Sequence, residues 1–417
     1  MLLPLLMLAQ VPAQQTSKED IARFMDKRFG LFIHYGPVTL RGTEIGWSRG
    51  DQVPLAEYDS LYKEFNPVLF NADAWVKAAK DAGMKYLTIV AKHHDGFCLW
   101  PTAYSSYNIA HTPFKRDIVG ELAAACKRQG LAFCIYFTVL DWHDPDYPQH
   151  RVAPNTTGNM PVFIARMKNE LKELIDRYHP QMLWFDGNWE ESWKQEYGVA
   201  VYRYIKSIDP HVVINNRLGK PDSQVSLPNG AGDYVTPEQT IGKLNMDIPW
   251  ESCITICKQW AWKPNDTLKS LTECITTLVR SAAGNGNLLF NVGPMMDGRI
   301  EARQVTRLKE IGQWLKKNGA SIYNTKGGPY VPNAKFASTR KGNKVFIHVF
   351  GKDNVLVLPA LAGVEIKKAY SMNGQAVTVD QSGVSIRLGL PAGLTDELCP
   401  VIVLELDKNA ETIPITE

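Results

Sequence analysis

Side chains suited to carbohydrate chemistry stand at the ends of several short apolar segments of this chain. The set combines histidine, carboxylate, arginine and aromatic residues: His34, His93, His94, Tyr136, Trp184, Asp186, Arg217, Glu238 and Trp260. The hydroxyl groups of a sugar need hydrogen bonds, and its apolar ring face can stack on tryptophan. If these side chains meet in one cavity, they predict a sugar-binding pocket with polar and aromatic walls.

Two of these residues could cleave a glycosidic bond. That reaction uses one ionised and one protonated carboxyl group, and Asp186 (LWFDGNW) and Glu238 (DYVTPEQ) are the natural pair. An Asp-Gly step after a strand is by itself typical of a turn, but the tryptophans on both sides of Asp186 favour a site. Glu238 could equally begin a helix capped by Thr236.

A repeating pattern of apolar runs and amphipathic segments positions these residues. Eight runs between residues 29 and 320 predict strands: 29–35, 86–91, 131–138, 182–186, 212–216, 233–235, 253–257 and 288–292. Helices are predicted after Asn71, from Pro161 and from about Ala302, whereas 219–232 and 237–250 show no helical pattern. Eight buried strands alternating with helices predict an α/β fold, an irregular (β/α)₈-like TIM barrel. Active sites of such barrels lie where the strands end.

The two ends of the chain differ from this central region. From residue 327 to 417, short segments of alternating polarity predict a C-terminal antiparallel β-sandwich, which leaves residues 16–326 for the catalytic barrel. Residues 1–15 contain the apolar run 2–8 and then small residues, as in a secretory signal peptide, although a basic start is missing. This segment predicts export to a periplasmic, extracellular or lysosome-like compartment.

Charge and cysteine usage limit the functions that this chain could have. Lys and Arg number 46 against 43 Asp and Glu, and the net charge of +3 provides no strong field for nucleic acid or an anionic membrane. Beyond the first residues, no apolar run is long enough to predict a transmembrane helix. The seven cysteines are irregularly spaced, and Cys134, Cys253 and Cys257 lie in strand-like apolar runs that predict buried thiols, while bridges among the others stay open. The oligomeric state cannot be read from these features.

Several longer strings resemble the α-L-fucosidases of glycoside hydrolase family 29. They are FGLFIHYG, KYLTIVAKHHDGFCLW, KRDIVGELAAACKRQGL, YFTVLDW, LWFDG, GDYVTPEQ and GNGNLLFNVGPMMDG, in order over residues 29–298. The resemblance implies a (β/α)₈-like barrel followed by a β-sandwich. It also implies a retaining exo-α-L-fucosidase that acts on terminal fucosyl linkages of oligosaccharides or glycoconjugates and uses no cofactor or metal.

The resemblance also implies roles for individual residues. Asp186 corresponds to the nucleophile and Glu238 to the general acid/base, with Glu190, Glu191 and Glu251 as alternatives for the second role. The expected fucose contacts are His34, His93, His94, Tyr136, Trp184, Arg217 and Trp260. Many members have an adjacent Glu-Trp where this chain reads Glu44-Ile45-Gly46-Trp47, and Glu44 and Trp47 are assigned to the pocket as well.

Two other functions are compatible with parts of the sequence. A metal-dependent hydrolase could draw ligands from His93, His94, Asp95, His111 and His143, but adjacent histidines on a strand point to opposite sides and no HxH or HExxH spacing occurs. A catalytically inactive carbohydrate-binding barrel would not need both carboxylates. The linkage specificity stays open, because the tryptophans at 189, 193, 260 and 262 could either stack on a second sugar or pack under loops.

Overall fold

The computed structural model describes residues 15–149, 151–152 and 154–417. The predicted signal peptide, apart from its last residue, lies outside these ranges. No helix of the described residues is both long and apolar enough to cross a membrane. Within the same ranges all seven cysteines are buried free thiols.

A curved parallel sheet of seven strands forms the centre of the larger part of the molecule. The strands are β1 (Phe29–Ile33), β2 (Tyr86–Lys92), β3 (Ala132–Thr138), β4 (Met182–Asp186), β5 (Val213–Ile214), β6 (Glu251–Thr255) and β7 (Asn287–Val292). Their order is β5-β4-β3-β2-β1-β7-β6, and every residue of the seven is buried. Buried parallel strands are covered on both faces, which explains why they read as continuous apolar runs.

The prediction of a strand at 233–235 is wrong, because these residues do not pair along a neighbouring strand. This segment makes only isolated parallel bridges, Asn215 with Tyr234 and Val235 with Trp250, so the ladder is open between β5 and β6. Pro237 follows after Thr236 and lacks the N–H group that a longer ladder would need. The expected closed eight-stranded barrel is therefore corrected to a seven-stranded parallel sheet whose two edges are linked by single bridges.

Most of the helices pack against the outer face of this sheet, whereas the first places Phe24 against the inward-facing Tyr86 and Tyr234. They are α1 (Lys18–Met25), α2 (Leu55–Tyr58), α3 (Ala72–Asp81), α4 (Ile118–Gln129), α5 (Met160–Tyr178), α6 (Gln195–Ile208), α7 (Leu271–Ala283) and α8 (Ala302–Asn318). The predicted cap at Asn71 is confirmed, since its side chain accepts a hydrogen bond from the Ala74 N–H. As expected, no α-helix lies between β5 and β6, a stretch that the structure describes in full.

The C-terminal part consists of two antiparallel sheets. Its strands are β8 (Lys326–Gly327), β9 (Phe336–Lys341), β10 (Lys344–Val349), β11 (Val355–Pro359), β12 (Ile366–Ser371), β13 (Thr378–Asp380), β14 (Ser385–Gly389) and β15 (Val401–Leu406). The orders are β12-β15-β10-β9-β8 and β11-β14-β13. Ile347 of the larger sheet and Leu388 of the smaller belong to one apolar core. The predicted antiparallel region is confirmed.

The larger of these sheets also packs against the barrel helices. Phe346 and Val403 point away from the core between the two sheets and join the barrel core that includes Trp314 of α8. Because side chains alternate along a strand, one sheet can serve both cores. The Trp314 indole N–H also donates to the Leu398 carbonyl at 2.9 Å.

The close approach of α8 to α3 provides a test of this packing. A Cβ atom at Gly312 would lie 1.7 Å from the Asp81 carbonyl oxygen. We expect Gly312→Ala to lower the free energy of unfolding by about 2–3 kcal/mol, because the two helices must move apart. Urea denaturation measures this, with Gly351→Ala as control, since nothing lies within 4 Å of that Cβ position. Equal stability of the two variants would contradict the packing.

Candidate active site

A pocket of about 250 Å³ opens at the carboxyl ends of the parallel strands. Its lining consists of Phe32, His34, Trp47, His93, Tyr136, Trp184, Asp186, Trp189, Glu238, Cys253 and Trp260. The volume is slightly below the range of roughly 300–1,000 Å³ in which drug-sized ligands bind, so it suits one small ring. The polar and aromatic walls expected from the sequence meet in this cavity.

Asp186, the last residue of β4, is held by three neighbouring side chains. Its Oδ1 accepts a hydrogen bond from Arg217 Nη1 at 2.8 Å, and its Oδ2 accepts one from the Tyr136 hydroxyl at 3.1 Å. His94 Nε2 lies 3.5 Å from the same Oδ2, and its Nδ1 lies 2.8 Å from the Thr138 hydroxyl. These contacts fix the carboxylate at the pocket wall.

The environment of Asp186 keeps this carboxyl group ionised. Burial alone would raise its pKa, but the positive charge of Arg217 and the contact with His94 outweigh burial and hold the pKa of Asp186 well below its usual value. An ionised, desolvated carboxylate at a pocket wall is suited to act as a nucleophile or to stabilise a positive charge.

Glu238 shares its partner with Asp186. Arg217 Nη1 donates to Glu238 Oε2 at 2.9 Å and to Asp186 Oδ1 at 2.8 Å. These two oxygens are therefore no farther apart than the two bond lengths together, about 5.7 Å. Retaining glycosidases have carboxyl groups about 5–5.5 Å apart, whereas inverting enzymes need about 6.5–9.5 Å for an intervening water. This upper limit is shorter than the spacing of an inverting pair and is compatible with a retaining pair.

Arg217 itself is anchored by the irregular segment that follows β5. Its Nε donates to the Thr236 hydroxyl and its Nη2 to the Thr236 carbonyl, both at 3.0 Å. Its guanidinium lies over the Trp184 ring, 4.8 Å from the centroid, which is the distance of a cation–π contact. The bridging cation is thus rigidly placed.

Two buried histidines present neutral hydrogen-bonding groups to the pocket. Burial lowers the pKa of His34 to about 4, and His34 Nδ1 lies 2.6 Å from Asn291 Oδ1. Burial, with the neighbouring histidines, also lowers the pKa of His93, and its buried Nδ1 has no hydrogen-bond partner among the described residues. Neutral imidazoles can donate to or accept from sugar hydroxyls.

Aromatic rings form the apolar walls. Tyr136 stacks on Trp184 with centroids 5.4 Å apart, and Trp260 lies against His34 at 4.8 Å. Phe32 contacts several of these rings, including Trp184 at 5.5 Å. Such walls match an apolar sugar face or a methyl group.

Glu44 lies outside the pocket lining, as do His94 and Arg217 among the residues expected to contact substrate. Its carboxylate accepts hydrogen bonds from the backbone N–H groups of Trp260 and Ala261, both at 3.0 Å. Burial raises the pKa of Glu44 to about 7 despite these donors. Glu44 therefore holds the loop that carries Trp260 from behind the wall.

The other glutamates considered for acid/base chemistry do not line the pocket. Glu190 accepts from the Trp142 indole and the Tyr147 hydroxyl, and Glu191 is exposed. Glu251 is buried inside the barrel, where it accepts hydrogen bonds from the hydroxyls of Tyr86 and Tyr234.

The residues considered for a metal site are dispersed. Asp95 accepts from the Tyr58 hydroxyl at 2.7 Å, His143 stacks on Tyr107, and His111 is exposed. No group of three or more histidine, cysteine or acidic residues that could hold an ion occurs in the described part of the chain.

Three lining residues were not among the predicted site residues. Phe32 and Cys253 lie inside predicted strands, and Phe32 stands two positions before His34, so the alternation of a strand could have revealed it. For Trp189, the sequence predicts only that it, like three other tryptophans, either stacks on a second sugar or packs under a loop.

Comparison with known proteins gives a consistent result. The family model described as alpha-L-fucosidase matches residues 9–320. The plasma alpha-L-fucosidase of Homo sapiens is 31% identical over 330 residues, which cover 73% of this chain and 69% of the human protein.

Solved structures agree over nearly the whole chain. Alpha-L-fucosidase isoenzyme 1 from Paenibacillus thiaminolyticus has a TM-score of 0.85 at 31% identity, covering 94% of this chain and 99% of its own. A family 29 fucosidase from Bacteroides thetaiotaomicron has a TM-score of 0.85 at 30% identity, covering 95% and 98%. That structure is a covalent intermediate trapped with 2-fluoro-fucosyl fluoride in a glutamate-to-glutamine mutant.

The buried Glu251 generates a prediction about stability and pH. Burial raises its pKa from 4.5 to about 8, so between about pH 5 and 8 the folded chain keeps a proton that the unfolded chain releases, and stability falls as pH rises. The contribution of Glu251 to this fall in the free energy of unfolding between pH 5 and pH 8 is on the order of 3 kcal/mol. We expect Glu251→Gln to remove it, because glutamine cannot ionise. Urea unfolding at pH 5 and pH 8 measures the difference.

The matched control is Glu191→Gln, which alters an exposed carboxyl group. It should keep the pH dependence of the unmodified protein. If Glu251→Gln keeps the same pH dependence too, Glu251 is not the buried acid described above.

Proposed function

The chain belongs to the α-L-fucosidase family and is a retaining α-L-fucosidase, and we propose that Asp186 is its nucleophile and Glu238 its general acid/base. The observation that carries the assignment is the shared guanidinium, since Asp186 and Glu238 both bond Arg217 Nη1. Its substrates are terminal α-L-fucosyl residues of oligosaccharides or glycoconjugates.

In the first step, a carboxylate oxygen of Asp186 attacks the anomeric carbon of the fucosyl residue. The bond between that carbon and the leaving oxygen breaks, and the leaving oxygen keeps the electron pair and takes the proton of Glu238. The low pKa of Asp186 supports this role, because the nucleophile must be ionised when the acid is protonated. The products are a fucosyl ester of Asp186 and the released alcohol.

In the second step, water replaces Asp186. Glu238 accepts a proton from the water as its oxygen attacks the anomeric carbon, and the ester bond breaks to regenerate the Asp186 carboxylate. Two displacements at the same carbon retain its configuration. The exposed third of the Glu238 side chain supports this role, because the acid/base must reach both the leaving group and the incoming water.

We propose that the remaining pocket residues recognise fucose. The neutral side chains of His34, His93 and Tyr136, together with Arg217, supply hydrogen bonds for the ring hydroxyls. The rings of Phe32, Trp184 and Trp260 face the apolar side of the sugar and its methyl group. Export is proposed on the sequence of residues 1–15.

Substitution of Asp186 tests the reaction and its nucleophile. The unmodified protein should hydrolyse an aryl α-L-fucoside, release α-L-fucose first as judged by NMR, and form a 2-fluorofucosyl adduct visible by mass spectrometry. Asp186→Asn should lose at least about a thousandfold in turnover and form no adduct, because the amide cannot displace the leaving group. A folded Asp186→Asn variant within a thousandfold of normal turnover would contradict the assignment.

Substitution of Glu238 tests the assignment of the general acid/base. Glu238→Gln should lose about 10²–10⁴-fold in kcat/KM on a fucosyl disaccharide and far less on α-L-fucosyl fluoride, because fluoride leaves without a proton. Added azide should restore turnover of the fluoride and give an α-fucosyl azide. Glu190→Gln is the matched control and should show neither effect. If Glu190→Gln, and not Glu238→Gln, loses kcat/KM on the disaccharide more than on the fluoride, then Glu190 is the general acid/base.

A further inference from the structure

The pocket has a buried inner end and an exposed mouth. His34, His93, Tyr136 and Trp184 are each at most 5% exposed, whereas Trp47 is 36% and Trp189 48% exposed. The Glu238 side chain, 32% exposed, also reaches the mouth. The released sugar therefore fits the inner end, and the group that leaves must pass Glu238 and the two tryptophans.

The rings of Trp47 and Trp189, here called the mouth platform, lie next to each other in the pocket lining. They stack with centroids 6.0 Å apart and an angle of 20° between planes. Both approach His94 edge to face, at 5.7 and 5.2 Å, and His94 Nε2 lies 3.5 Å from Asp186 Oδ2. The mouth platform is therefore adjacent to the reacting carboxylate.

Neighbouring side chains hold Trp47, one of the two rings of the mouth platform, in place. Trp142 packs against Trp47 at 5.2 Å, and the Arg151 guanidinium lies over the Trp47 ring, 4.6 Å from its centroid. Arg151 Nη2 also donates to the Trp47 carbonyl at 2.6 Å. These contacts hold Trp47 in place while much of the Trp189 ring stays open to solvent.

The other tryptophans of open role do not share this position. Trp193 is fully buried and donates its indole N–H to the Leu218 carbonyl at 2.9 Å. Trp260 belongs to the wall beside His34, and the Trp262 indole nitrogen is buried outside the pocket lining. Only Trp189 of these four is an exposed ring at the mouth.

We propose that the mouth platform is the subsite for the leaving group and takes the pyranose ring to which fucose is attached, through the apolar face of that ring. This inference rests on the proposed function, because it needs fucose at the inner end. Stacking depends little on hydroxyl orientation. Two polar side chains beside the platform already have partners, since Arg151 bonds the Trp47 carbonyl and Glu190 bonds Trp142 and Tyr147. The subsite therefore favours ring-shaped leaving groups and tolerates several linkages.

The test compares leaving groups with and without a ring. kcat/KM is measured for α-L-fucosyl fluoride, p-nitrophenyl α-L-fucoside and two fucosyl disaccharides of different linkage. Trp189→Ala should lower the ratio of kcat/KM for each ring-bearing substrate to that for the fluoride by about five- to tenfold. Trp189→Phe should restore most of the ratio. Tyr104→Ala, which removes an exposed ring away from the pocket, should leave it unchanged.

Other results would overturn the proposal. An equal loss on fluoride and ring-bearing substrates would mean that Trp189 supports the fucose pocket, and an unchanged ratio would mean that no leaving group uses the platform. A strong effect on one disaccharide linkage alone would contradict the expected tolerance. If the unmodified protein cleaves neither the fluoride nor the aryl fucoside, the proposed function fails and this subsite fails with it.

Discussion

The placement of one guanidinium between two carboxylates is the interaction on which this site depends. Asp186 and Glu238 within about 5.7 Å would repel each other by roughly 3 kcal/mol at an effective dielectric constant of about 20. Arg217 bonds both, and its own position is fixed by Thr236 and the Trp184 ring. The cation lets two acids occupy the spacing that retention requires, and its charge favours the ionised form of Asp186.

This requirement gives a reason for the irregular segment between β5 and β6. Thr236 and Glu238 are two residues apart and both reach Arg217, which is the spacing of an extended chain. The segment is linked to its neighbours by single bridges, including one between Glu238 and Cys253. Gln239 then has a positive φ of 52°, so the chain turns directly after Glu238. A continuous strand could not turn there.

The sequence predicts most strands and the location of the site, because both follow from local patterns. Apolar runs mark β1 to β4 and β7, and polar side chains at their ends must converge on one edge of a parallel sheet. Long-range pairing is not visible in such patterns. Glu44 bonds the Trp260 backbone 216 residues away, and nothing near Glu44 indicates that partner. The ladder at 233–235 fails because this segment has only two apolar residues, Tyr234 and Val235, and Pro237 lacks the N–H group that would extend it.

Burial divides the pocket into two parts with different chemical tasks. At the inner end, burial lowers the pKa values of His34 and His93 and keeps both imidazoles neutral, so the charged groups nearby are Arg217 and the carboxyl groups that it bonds. In the proposed function, a neutral sugar binds there through directional hydrogen bonds, which select one monosaccharide. At the mouth, exposed aromatic rings offer stacking contacts, which are less directional than hydrogen bonds. Selection of fucose and acceptance of varied leaving groups need opposite physical properties, and the proposed assignment places them at opposite ends of the same cavity.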